Sequence, residues 1–171
     1  MHITICGVMS ALLVLGGSAA GALPDRDTAE ITRTEASYSD AAREVMESIE
    51  REFLDQASGL YVQTLDTREP EFMWGNGVMF SALVAATRHE PETYRARMER
   101  FFGAMDRYWD DKARIPGYEP SPTDGNGHDK YYDDNEWMAI TFAEAYELTG
   151  EAKYLERAEQ ALRFSLSGWD D

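Results

Sequence analysis

Largely apolar helical segments alternate with charged, one-faced ones along this chain. Residues 74–87, WGNGVMFSALVAAT, carry no charge, and residues 134–148, DNEWMAITFAEAYEL, are largely apolar. Around them lie three amphipathic stretches. In 39–56 the residues Ala42, Val45, Met46, Ile49 and Phe53 recur at steps of three and four, which draws a single apolar stripe on a charged helix. Residues 92–109 and 151–166 repeat that pattern. A helix that is apolar all round is covered on every side, whereas an amphipathic one covers it from outside. The chain therefore reads as inner and outer helices taken in turn.

The alternation has a period. Tyr94 and Tyr154 lie sixty residues apart, as do Phe102 and Leu162, and YWDD at 108–111 falls on GWDD at 168–171 with the same offset. Tyr38, Val45 and Phe53 form a weaker copy, fifty-six residues before Tyr94, Phe101 and Trp109. Repeated helical hairpins build solenoids or closed toroids. The long connection from Lys112 to Lys130, rich in proline and glycine, fits neither a tetratricopeptide nor an ankyrin array. Connections of that length usually carry function or are disordered.

The N-terminus stands apart. Ile3 to Ala22 holds no charged residue, with an apolar run to Leu15 and then small residues that fit a cleavage site. Residues 1–22 read as a secretory signal peptide. The alternative is an uncleaved anchor, for which the apolar run is short against a span of about 20 residues. Residues 23–37 are polar and aperiodic and read as a linker, leaving 38–171 as the folded domain. The only cysteine, Cys6, lies in the leader, so a mature chain has no disulfide and no thiolate metal site. A net charge of −16 without a basic patch argues against nucleic acid and, after leader removal, against a membrane as partner.

Chemistry concentrates in DKYYDDNEW, residues 129–137. Two readings of Asp133 and Asp134 stand side by side. Asp133 with Glu136 has the spacing of a capping box, and a helix N-terminus tolerates extra carboxylates. The same placement suits catalysis. Retaining glycoside hydrolysis needs two carboxyl groups roughly 5 Å apart. The helix dipole favours an ionised nucleophile, while like charge raises one member of the pair toward acid duty. Tyr131, Tyr132 and Trp137 offer aromatic surface for sugar rings, or core packing. Trp74 and Asn76 open an uncharged helix, where Asn76 needs a polar partner, either a ligand or the neighbouring helix. The run from Asp124 fails as a calcium loop, because Asp129 and Asn135 occupy its glycine and glutamate positions. No metal or other cofactor is implied.

The stretch DKYYDDNEWMAITFAEAYELTGEAKYLERAEQAL resembles the core of glycoside hydrolase family 76, the α-1,6-mannanases. WGNGVMFSALVAA is similar to the family's preceding inner helix, and GWDD to the segment that follows. The resemblance runs from about Ser39 to Asp171. It implies an all-α (α/α)6 toroid with its site at one end of the inner helices, and a mannan polysaccharide or oligosaccharide as substrate. It also implies retaining hydrolysis, with Asp133 as nucleophile and Asp134 as general acid/base. Trp74, Asn76, Tyr131, Tyr132, Asn135 and Trp137 are then candidates for substrate contact. The five helices counted here are too few to close such a toroid, so the sequence reads as the N-terminal part of one. Other enzymes on this scaffold, such as epimerases and unsaturated-uronide hydrolases, remain alternatives, as do a non-catalytic glycan-binding protein and a purely structural helical repeat.

Overall fold

A computed structural model describes residues 25–127 and 129–169, with side chains from Tyr38 onward. The expected signal peptide, Cys6, His128 and the last two residues of GWDD lie outside the described residues.

Among the described residues there are five α-helices: α1 (Asp25–Phe53), α2 (Met73–His89), α3 (Pro91–Ala104), α4 (Tyr132–Thr149) and α5 (Ala152–Leu166). They are five helices of an (α/α)6 toroid. The expected inner pair, α2 and α4, pack on each other, α3 covers α2, and α5 covers α4. Phe80 on α2 and Phe142 on α4 meet edge to face at 5.0 Å, and Phe102 of α3 meets Tyr154 of α5 at 4.7 Å. Phe102 also meets Phe142 at 5.0 Å, so one aromatic cluster joins all four helices. Such pairs each contribute about 0.5–1.5 kcal/mol beyond the area they bury.

The helix ends follow local chemistry. Gly150 takes the left-handed conformation at φ 71° after α4, where its N–H donates to Tyr146 O at 2.7 Å. Pro91 opens α3, where a missing N–H costs nothing. Only Glu90 separates α2 from α3, and only Gly150 and Glu151 separate α4 from α5. The connections at the opposite end are long. Residues 54–72 join α1 to α2 through the bridges Leu54–Tyr61 and Val62–Pro70. Residues 105–131 join α3 to α4 through a 3₁₀ turn (Met105–Tyr108) and a small antiparallel hairpin, β1 (Trp109–Asp110) with β2 (Gly117–Tyr118).

Three expectations need correction. The segment read as a linker is helical from Asp25, since nothing after Pro24 interrupts α1: residues 25–37 contain no glycine or proline. The stripe on α1 is only partly buried. Met46 is covered, whereas Val45 and Tyr38 are exposed, unlike their repeat partners Phe101 and Tyr94. Leu162 and Trp169 are likewise exposed while Phe102 packs into the core, because no described element lies over them.

Candidate active site

The N-terminal ends of α2 and α4 open into one cleft of about 410 Å³, lined by Phe72, Trp74, Pro120, Tyr131, Asp133 and Asp134. Both helices thus aim the positive ends of their dipoles at it. The α2 end is tied to the long connection by Met73 N–H, which donates to Pro120 O at 3.0 Å. The segment before α2 is tied to the same connection by Tyr108, which donates its hydroxyl to Glu71 O at 2.6 Å.

Helix α4 begins at Tyr132 with Tyr131 as its N-cap, and no side chain caps it. The capping-box role expected as one reading of Asp133 is therefore not what the residue does. Asp133 lies within the first turn and is exposed, accepting the Asp134 N–H at 3.1 Å. Asp134, next in sequence, is 7% exposed. Burial first, and the Asp133 charge second, push its carboxyl up to about 6. Two adjacent carboxyls thus differ sharply in access to water, one wet and one shielded.

The aromatic residues divide. Trp74 lies at the cleft edge and stacks on Trp137, with ring centroids 5.8 Å apart and planes 14° from parallel. The stack depends on Gly77, where a Cβ would fall 2.0 Å from Trp137 Cδ1. Tyr131 lines the cleft beside the carboxyls. Tyr132 does not: it turns outward onto Phe164 of α5, at 5.3 Å.

Neither asparagine reaches the cleft. Asn76 is fully buried and donates to Glu71 O at 3.2 Å. Asn135, also fully buried, accepts Tyr118 N–H at 2.7 Å and donates to Tyr118 O at 3.0 Å and Tyr131 O at 2.9 Å. Of the six expected substrate contacts, Tyr132, Asn76 and Asn135 are engaged in packing or backbone hydrogen bonds, and Trp137 supports Trp74 from behind. Phe72 and Pro120 were not anticipated. Phe72 had a signal, an aromatic residue directly ahead of an uncharged helix, whereas Pro120 had none beyond its place in the proline-rich connection.

Around the cleft the long connections are braced by buried charge. Lys130 Nζ lies 2.6 Å from Asp110 Oδ2, with both side chains under a tenth exposed. Burial alone would raise the Asp110 carboxyl. Lys130 and the N–H groups of Lys112 and Ala113 outweigh it and hold the group below its ordinary range. Glu119 is also buried and accepts the Thr123 hydroxyl. Arg157 of α5 lies over the Trp109 ring at 4.4 Å and donates to the Tyr118 hydroxyl at 3.1 Å, fastening the hairpin to the bundle.

The fold is that of the (α/α)6 toroid enzymes, with paired carboxyls and an aromatic wall at one end of the inner helices. The chain belongs to glycosyl hydrolase family 76, whose model matches residues 35–171. Among solved structures, it is similar to a family 76 α-mannanase from Bacteroides thetaiotaomicron, with 30% identity and a TM-score of 0.73 over 78% of this chain. It shares its fold with a D-mannose isomerase at 22% identity and a TM-score of 0.61, over 80% of this chain. The chain spans 37% of the length of each of those two structures. No curated protein sequence matches it.

Proposed function

We propose that this chain carries the catalytic pair of a secreted, retaining hydrolase of α-1,6-linked mannan. The observation that carries the reading is the contrast between neighbours, an exposed Asp133 and an Asp134 whose burial pushes its carboxyl up to about 6. A retaining mechanism needs that contrast. Asp133 attacks the anomeric carbon and forms a glycosyl ester as the glycosidic bond breaks. Asp134 gives its proton to the departing oxygen. Asp134 then takes a proton from water, whose oxygen attacks the anomeric carbon and frees Asp133. Trp74, Phe72 and Tyr131 offer their faces to the sugar rings. The likeness to an α-mannanase supports mannan as the substrate. Secretion rests on the leader-like residues 1–22. N-terminal sequencing of exported protein tests it, and a mature chain that keeps Met1 rejects it.

Kinetics on mannan and on activated α-mannosides, with and without azide, test the chemistry. Asp133→Asn abolishes turnover, because no ester forms. Asp134→Asn still forms the ester from substrates with good leaving groups, and azide rescues the second step. Near-normal turnover in Asp133→Asn rejects the reading. Azide rescue of Asp133→Asn instead, with inverted product, exchanges the two roles.

A further inference from the structure

We propose that Asn135 is a positioning residue that locks the two walls of the cleft together and so sets the environment of Asp134. The inference rests on the reading of Asp134 as the acid. One wall is the start of α4, with Tyr131, Asp133 and Asp134. The facing wall is the connection that leaves β2 at Tyr118 and reaches Pro120 two residues later. The Asn135 amide spans both. Its oxygen accepts Tyr118 N–H, and its two N–H bonds go to Tyr118 O and Tyr131 O. A peptide unit would make the same pair of bonds to Tyr118 if a strand lay there. The side chain therefore acts as a one-residue strand that ends the hairpin against the helix.

Gly117 supports this from the other side. A Cβ there would sit 3.2 Å from Asn135 Oδ1 and 3.0 Å from Phe164 Cγ, so a side chain at that position would push the hairpin off the helix. Its φ is not in the left-handed region, so the requirement is for space and not for backbone freedom. The groups that line the cleft with Asp134 are Asp133 from α4 and Tyr131 at its N-cap, and Phe72, Trp74 and Pro120 from the facing elements, none of the last three ionisable. Asp134 is thus governed by how closely those apolar surfaces approach. The joint at Asn135 sets that approach.

The test is a carboxyl ¹³C titration of Asp134 in this chain, assigned with Asp134→Asn. The unaltered chain should titrate near 6. Asn135→Ala and Gly117→Ala should each lower the midpoint by about one unit, as water reaches the carboxyl. Arg157→Ala serves as control, because it loosens the hairpin from α5 without touching Asn135. It should leave the midpoint in place. Unmoved midpoints in folded Asn135→Ala and Gly117→Ala overturn the inference, and so does an equal shift in Arg157→Ala. Amide exchange in the unaltered chain covers the case in which the variants do not fold: Tyr118 N–H should be as protected as the interior of α4, and rapid exchange rejects the joint. None of these readouts needs turnover. A chain that cleaves no mannan can still show the joint, and a mannanase with unmoved midpoints rejects this inference alone.

Discussion

Gly77→Ala should destabilise the protein although alanine is the better helix former. A Cβ at 77 lies 2.0 Å from Trp137 Cδ1, 2.8 Å from Nε1 and 3.0 Å from Cγ. Carbon atoms rest comfortably at about 3.5–4.0 Å, so the indole must withdraw by about 1.5 Å. It is a rigid ring, and its movement disturbs the stack on Trp74. Overpacking of this kind costs about 1–3 kcal/mol, and a lost aromatic pair about 0.5–1.5 kcal/mol. The gain from replacing a helical glycine is about 1 kcal/mol. The balance is a net loss of about 1–3 kcal/mol, or a Tm lower by about 2–12 °C. Gly103→Ala is the matched control, since it lies in α3 with nothing within 4 Å of its added Cβ. It should leave Tm unchanged or raise it slightly, by about 0.5 kcal/mol near a helix end. Thermal melts followed by far-UV circular dichroism give both values, and the near-UV spectrum reports the indole stack. A Gly77→Ala chain that melts at or above the unaltered one, with the same near-UV spectrum, refutes the reasoning, as does a Gly103→Ala chain that is equally damaged.

Three further outcomes are expected. The folded state raises the Asp134 carboxyl from 3.8 to about 6, so its contribution to stability is fully present below 3.8 and is lost as pH rises through about 6. At about 1.4 kcal/mol per unit the loss is at most about 3 kcal/mol, so Asp134→Asn should be the more stable chain near pH 8 and lose that advantage near pH 4 in urea titrations. Lys130→Met strands the buried Asp110 carboxyl and should cost about 3 kcal/mol in urea unfolding, whereas a pair that only decorates the surface would cost under about 1 kcal/mol. Trp74→Ala should raise KM for mannan by tenfold or more while changing kcat for a small activated mannoside little, and an unchanged KM would remove Trp74 from the binding wall.

The inner helices are legible because apolar runs of that length, α2 uncharged and α4 largely apolar, have few uses in a chain this acidic. The hairpin of Trp109–Asp110 with Gly117–Tyr118 was not legible. Strands of two residues have no periodicity to read, and what holds them is remote, the Arg157 guanidinium and the Asn135 amide. The motif and its position point to Asp133, Asp134 and Trp74, and all three line the cleft. Tyr132 and Asn135 flank the carboxyls in sequence but face away from the cleft, because adjacency along a helix is not adjacency in space. At about 100° per residue, positions three apart share a flank. Tyr132 and Asn135 share the one that meets α5 and the hairpin, while Asp134 and Trp137 share the one toward α2. That distinction appears only once the start of α4 is fixed.

The unequal connections divide the molecule's labour. Where α2 turns into α3 and α4 into α5, one or two residues suffice, and an insertion there would separate helices that hold the bundle together. Residues 54–72 and 105–131 instead meet at the cleft, and part of what they supply is its wall. Changes in their exposed parts would reshape that wall, whereas exchanging them whole would reach the core, because Tyr118 meets Phe142 at 6.1 Å and Tyr61 and Tyr108 are fully buried. One end of this architecture is therefore conservative by construction, and the other is open to revision. An engineer testing the proposed glycan site should vary these connections while keeping Tyr61, Gly117 and Tyr118, which hold them to the bundle.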